Sequence, residues 1–241
     1  MSMPMNLAAL DGPWVDQWLT PPRLATYLRA AGGSREKALR LYEWNHDAAN
    51  AIHRDLGHFE VGLRNAYDHA LRAHWTGPAD WTDSAPQLFP PRMGSRGKPK
   101  VSVDLNATTR ALLVRARQDA GGVAARPEKV VAELTLGFWR YLSIKRQESA
   151  LWIPYLRHAF PAGTDRARDV DGPVGRIHDL RNRVAHHEPL LNVNLARRHS
   201  DIIDLADLIS PDLGSFVART STLPEVLARR PIAALPPKSG R

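Results

Sequence analysis

The sequence predicts an all-α protein. Its longest periodic run, Tyr42, Ala49, Ile52, Leu56, Phe59, Leu63, Ala66 and Ala70, steps by seven, three and four residues, which keeps every member on one side of a helix. Proline and glycine punctuate the chain between such runs, and no pair of alternating apolar and polar segments flanks a hairpin turn. With 241 residues, 43% hydrophobic and 24% charged, the chain suffices for one large or two small globular domains. The expected organisation is a single helical domain over residues 1–225, with a flexible loop at 77–104 and a tail at 226–241.

Trp14 and Trp18 lie among prolines and glycines at the start. Thr20-Pro21-Pro22 marks a helix start, with Thr20 as cap and proline in the first turn, and a short amphipathic helix over 23–31 follows until Gly32-Gly33 stops it. Ser34 opens the long helix, which runs to His74. Gly57 and Gly62 inside it each cost roughly 1 kcal/mol of helix propensity against alanine, and they mark close packing or a bend rather than a break. Glu60 and Arg64 stand at i,i+4, the favoured orientation for a helical ion pair.

From Gly77 to Asp104, Pro78, Pro86, Pro90, Pro91 and Pro99 argue against helix or strand. Arg92, Arg96, Lys98 and Lys100 make the segment 92–100 basic. It reads either as a solvated surface loop or as an electropositive arm for a phosphate backbone. Asp104 or Asn106 then caps a helix through Asp119 that Gly121-Gly122 closes. Pro127-Glu128 opens another, with Val130, Val131, Leu134, Phe138, Tyr141 and Leu142 on its apolar side. Its block Leu134-Thr135-Leu136-Gly137-Phe138-Trp139 reads as core. A helical piece over 148–160 is interrupted by Pro154, Pro161-Ala162-Gly163 turns the chain, and residues 169–173 are rich in turn formers. Leu195, Ile202, Leu205, Leu208 and Ile209 give an amphipathic helix over 192–209. The pattern weakens after Pro211, and residues 231–241 read as a frayed tail.

Composition removes several classes of function. Without cysteine there is no disulfide framework, no thiolate catalysis and no cysteine-based zinc or iron–sulfur site, which fits a reducing interior. The start, Met1-Ser2-Met3-Pro4-Met5, carries neither the basic nor the apolar region of a secretory signal. No run reaches the ~18 apolar residues of a membrane span, so a cytoplasmic protein without a membrane partner is expected. A net charge of +8 favours attraction to a polyanion.

The chemistry concentrates in Ile177-His178-Asp179-Leu180-Arg181-Asn182-Arg183-Val184-Ala185-His186-His187-Glu188-Pro189. The stretch reads as one helix ended by Pro189. At about 100° per residue, Ile177, Leu180 and Val184 form its core stripe, with Arg181 close beside them, while His178, Asn182 and His186 line up at i+4 steps. Arg181 and His186 are about 140° apart, so they do not share a face by backbone position. The length of the arginine, a distortion near Pro189, or a second helix or subunit would have to complete the pair. Together these side chains suit RNA cleavage without a metal. A histidine takes the 2′-hydroxyl proton or protonates the leaving oxygen, an arginine holds the nonbridging oxygens, and Asn182 orients the phosphate or a base. A similar spacing occurs in the long helix, where Arg64-Asn65 is followed by His69.

Other readings stand beside this one. Arg181 pairs with Asp179 or another acid, and His186 or His187 caps the helix C-terminus, where a cation is favoured. Arg64, Asn65 and His69 fit a salt-bridged or packed structural role. His178, His186, His187 and Glu188 diverge around the helix without a His-x3-His pair and matching acid, so no metal is expected.

Three ordered blocks, His58-Phe59-Glu60-Val61-Gly62-Leu63-Arg64-Asn65, residues 130–139 and Arg181-Asn182-Arg183-Val184-Ala185-His186-His187-Glu188-Pro189, together resemble the Abi-like family of abortive-infection proteins within the HEPN superfamily. The resemblance covers most of residues 35–210. It implies a HEPN-type helical bundle and a metal-independent endoribonuclease of an antiphage or toxin–antitoxin system, acting on RNA without a cofactor. Its Arg-x4-6-His motif falls on Arg181 and His186, with Asn182 as the polar residue after the arginine. It also implies a homodimer that brings two motifs together, and an antitoxin protein or RNA as a further partner. The alternative is a noncatalytic HEPN module that binds RNA or a protein. A DNA-binding regulator is a third reading, for which no helix-turn-helix pair argues.

Overall fold

The computed structural model describes residues 12–231 and is mainly helical, as the sequence predicts. In chain order its helices are α1 (Trp14–Leu19), α2 (Pro21–Ala30), α3 (Arg35–His74), α4 (Ala85–Leu88), α5 (Ala107–Asp119), α6 (Pro127–Glu133), α7 (Leu136–Leu142), α8 (Gly172–Ala185), α9 (Leu195–Ile209), α10 (Pro211–Thr220) and α11 (Leu223–Ala228). Between α4 and α5 lie two short strands, β1 (Met93–Arg96) and β2 (Val101–Asp104). Two compact units are formed, one from residues 12–56, 179–200 and 219–231, the other from 57–178 and 201–218.

The first unit contains α1, α2 and the first half of α3. Val15, Leu19, Tyr27, Leu41, Trp44 and Ile52 are buried, each at a position where the helical period returns to the same side. Pro21 and Pro22 occupy the first turn of α2, where their missing N–H groups cost nothing. Thr20 does not cap that helix; its φ is +58° and its side chain makes no capping hydrogen bond. Gly32 and Gly33 end it with φ of +62° and +86°. The Gly33 N–H donates to Leu28 O at 2.8 Å and the Gly32 N–H to Arg29 O at 3.4 Å, the paired bonds of a Schellman turn. Ser34 Oγ accepts from Lys37 N at 3.4 Å as α3 begins.

In the second unit the core is aromatic. Phe138 packs edge-on against Trp139 (5.1 Å between ring centroids) and Phe89 (5.8 Å), and Trp81 lies 6.0 Å from Trp139. The block at 134–139 is therefore core, as its sequence suggests. It is not part of one helix, however. Leu134 and Thr135 are extended, and the Leu136 N–H that starts α7 donates to Glu60 Oε1 at 2.7 Å. Glu60 thus caps α7 and forms no ion pair with Arg64, because a backbone N–H at a helix start is a better-placed partner for its carboxylate. Tyr141, expected on the apolar side, is 42% exposed.

Three more segments depart from the sequence reading. Residues 93–104 form an antiparallel hairpin pairing Met93 with Asp104 and Arg96 with Val101. Gly97 and Pro99 fall in its turn, and four-residue strands are too short to show alternation. Residues 166–171 form a π-helix that leads directly into α8, held by Arg140 to Asp171 (2.6 Å) and Arg166 to Asp171 (3.1 Å). The chain after Pro211 is helical, with Val217, Leu223 and Val226 buried, so the expected tail beginning at 226 starts inside α11; residues 232–241 lie outside those described.

Gly62 and Gly57 differ in their surroundings within α3. A Cβ at Gly62 would meet Leu213 Cδ2 at 2.5 Å, so that position serves close packing, whereas a Cβ at Gly57 would meet no described atom within 4 Å beyond its own helix backbone and chain neighbours. Within the same unit, Arg176 grips the buried Asp201 with two hydrogen bonds of 2.8 and 3.0 Å.

Candidate active site

Helix α8 places its last turns as the period requires. Leu180 and Val184 are buried, Arg181 and Asn182 are half-buried, and Arg183, His186 and His187 are exposed. Arg181 is not tied to Asp179. Among the described residues its guanidinium has neither an ion pair nor a hydrogen bond, and nothing joins it directly to His186. The imidazole of His186 likewise has no partner among the described residues, while its backbone N–H donates to Asn182 O at 2.9 Å.

Pro189 does not end the helix. Closure comes earlier, through a Schellman turn in which the Glu188 N–H donates to Arg183 O (2.8 Å) and the His187 N–H to Val184 O (3.1 Å). His187 occupies the left-handed position of that turn, with φ +52°. The same turn at the end of α2 uses Gly32, which adopts positive φ without steric cost. A side chain at this position is held there by its surroundings. Arg183 pairs with Glu188 at 3.3 Å across the turn, and the Arg23 guanidinium of α2 donates to the His187 carbonyl. Just beyond, the Leu190 N–H donates to the buried Asn45 Oδ1 of α3 at 2.7 Å. Arg230 donates to Leu191 O at 3.0 Å and lies 4.6 Å over the Trp44 ring.

These anchors bring a second imidazole to the turn. His46, half-buried on α3, has its ring centroid 6.5 Å from that of His187 and 4.6 Å from Tyr42. The ring series continues through Tyr42 to Trp18 (5.6 Å) and from Trp18 to Trp14 (5.6 Å), the two tryptophans being 52% and 47% exposed. Burial first, then the positive charge of Arg23 and the nearby His187, lower the His46 pKa, against an opposing pull from Asp47. Burial also pushes the Tyr27 hydroxyl up to about 12, opposed by Arg23. Tyr27 Oη and Arg23 Nε are both buried without a hydrogen-bond partner among the described residues.

Sequence reasoning singled out Arg181, Asn182 and His186 but missed Arg23, Tyr42 and His46. Tyr42 and His46 stand at i,i+4, yet no local signal links them to residues about 140 positions away. The other set, Arg64, Asn65 and His69, belongs to the second unit. Arg64 is half-buried with its Nε unpartnered among the described residues, and Asn65 and His69 are exposed. In the basic hairpin region, Arg92 donates to Arg146 O at 2.6 Å, and Lys98 and Lys100 are exposed. Among the described residues no group of His, Asp and Glu is placed to hold a metal ion, and no helix is long and apolar enough to cross a membrane. Comparison with family models, curated proteins and solved structures returns no match.

Proposed function

We propose that the protein is a metal-independent endoribonuclease with a HEPN-type bundle, akin to the Abi-like abortive-infection proteins and acting in antiphage or toxin–antitoxin defence in the cytoplasm. The observation that carries this reading is a half-buried Arg181, unpartnered among the described residues, that precedes the exposed His186–His187 pair on a helix end closed by backbone hydrogen bonds. Arg181 and His186 engage the scissile phosphate, Asn182 orients it, and the 2′-hydroxyl of the substrate attacks phosphorus. A homodimer joins two such sites, and an antitoxin protein or RNA restrains them.

Incubation of the purified protein with mixed cellular RNA in excess EDTA tests the reading. Cleavage leaving 2′,3′-cyclic phosphate ends, and lost in both Arg181→Ala and His186→Ala, is expected. Removing a donor that holds the phosphate oxygens in the transition state costs about 100-fold or more, so undiminished cleavage in either variant removes the assignment. RNA bound but not cut would instead identify a noncatalytic binding module.

A further inference from the structure

Cleavage by 2′-hydroxyl attack moves two protons. One leaves the 2′-oxygen as it bonds to phosphorus, and one arrives on the 5′-oxygen as its bond to phosphorus breaks. A single titrating side chain serves one of these transfers at a time, so a protomer with its own complete site needs two. The Arg-x4-6-His spacing admits His187 as well as His186, and His187 is the one with a ring contact to a second imidazole.

We infer that His46 and His187 are the proton-transfer pair of this site, an inference that rests on the ribonuclease reading. Their ring centroids are 6.5 Å apart at a tilt of 35°. With hydrogen bonds of about 2.8 Å, two imidazoles so placed reach different oxygens of one phosphate lying across their edges. Four features of the molecule converge on this point. His187 sits in a left-handed conformation that Gly32 fills at the equivalent place in α2. Arg23 holds the His187 carbonyl and has no acidic partner among the described residues. Tyr42 braces the His46 ring edge-on. Exposed faces of Trp18 and Trp14 continue the ring series outward, a surface on which unpaired bases stack.

The roles follow from surroundings. The groups acting on His46 are Arg23 from α2, His187 from the turn, and Tyr42 and Asp47 from α3. Half-buried beside a cation, its neutral form is favoured, and it takes the 2′-hydroxyl proton. His187 is exposed, with the Arg183–Glu188 pair beside it, and in its protonated form it gives a proton to the 5′-oxygen. The products are a 2′,3′-cyclic phosphate and a 5′-hydroxyl, and exchange of protons with water resets the pair. Arg181, Arg23 and His186 are left to hold the phosphate oxygens, and the substrate is single-stranded RNA.

The test uses the full-length protein with a single-stranded RNA in EDTA, its initial rate followed from about pH 5 to pH 9. Wild type gives a bell-shaped profile. His46→Gln and His187→Gly each lose about 100-fold or more in rate, and His46→Gln also loses the acidic limb of the profile. His186→Ala, by contrast, slows cleavage with both limbs kept. If Arg181→Ala abolishes cleavage while His46→Gln and His187→Gly cut at the wild-type rate, the pair is wrong and the ribonuclease reading stands. If wild type does not cut at all, the reading falls and the pair with it. A measurement independent of variant folding is titration of the wild-type protein with cytidine 3′-phosphate. The imidazole resonances of both His46 and His187 shift on binding, and unmoved resonances overturn the inference.

Discussion

His187 is where local cost and proposed chemistry meet. A residue with a Cβ in the left-handed region costs roughly 1–2 kcal/mol that glycine avoids. The turn at the end of α8 keeps its hydrogen bonds nonetheless, anchored by Arg23 on one side and Asn45 on the other. His187→Gly is therefore expected to raise the free energy of unfolding by about 1 kcal/mol, measured by urea denaturation, while the same substitution removes cleavage. A variant both less stable and fully active would show that the imidazole is a structural part of the turn. Such opposition between stability and activity is expected where a side chain is retained for its chemistry.

At the scale of elements, the glycines of the helices fall into separable classes. Gly57 is exposed within α3 with open space around it, so Gly57→Ala gains helix propensity and stabilises by about 1 kcal/mol. Gly214 in α10 is the opposite case. A Cβ there would meet the Asp207 Cβ, Cα and N of α9 at 2.7, 2.8 and 2.9 Å, which are backbone and near-backbone atoms that do not rotate away. Gly214→Ala is expected to destabilise by about 2 kcal/mol. Thermal denaturation of the two variants side by side distinguishes them by the sign of the shift. Periodicity places Gly57 inside the long helix, but the pattern weakens after Pro211 and says nothing of Gly214. The helix at 127–142 was likewise legible only in part: its apolar positions are core, but the break at Leu134–Thr135 depends on Glu60, more than seventy positions earlier, taking the Leu136 N–H.

For the whole molecule, the net charge of +8 governs encounter with a polyanion. Binding to an uncleavable single-stranded RNA is expected to weaken steeply with salt, by about 0.7 in log affinity per log unit of salt for each phosphate neutralised. Fluorescence anisotropy between low and physiological salt measures this slope, and a flat response would remove RNA as the partner.

What the sequence by itself determined is the helical class, the extent of α3, the stop at Gly32-Gly33 and the core character of residues 134–139. All of these arise from contacts within one turn or one helical period, which neighbouring residues specify. It also singled out Arg181, Asn182 and His186 as candidates, because their types and spacing lie within six positions. Only the tertiary structure decided that Arg181 has no partner among the described residues, that α8 closes on a left-handed His187 rather than at Pro189, and that His46 and Arg23 stand at that turn. Those juxtapositions join residues some 140 to 164 positions apart, and they exist only because packing of apolar faces brings α2, α3 and the end of α8 together, a long-range effect with no local trace in the chain.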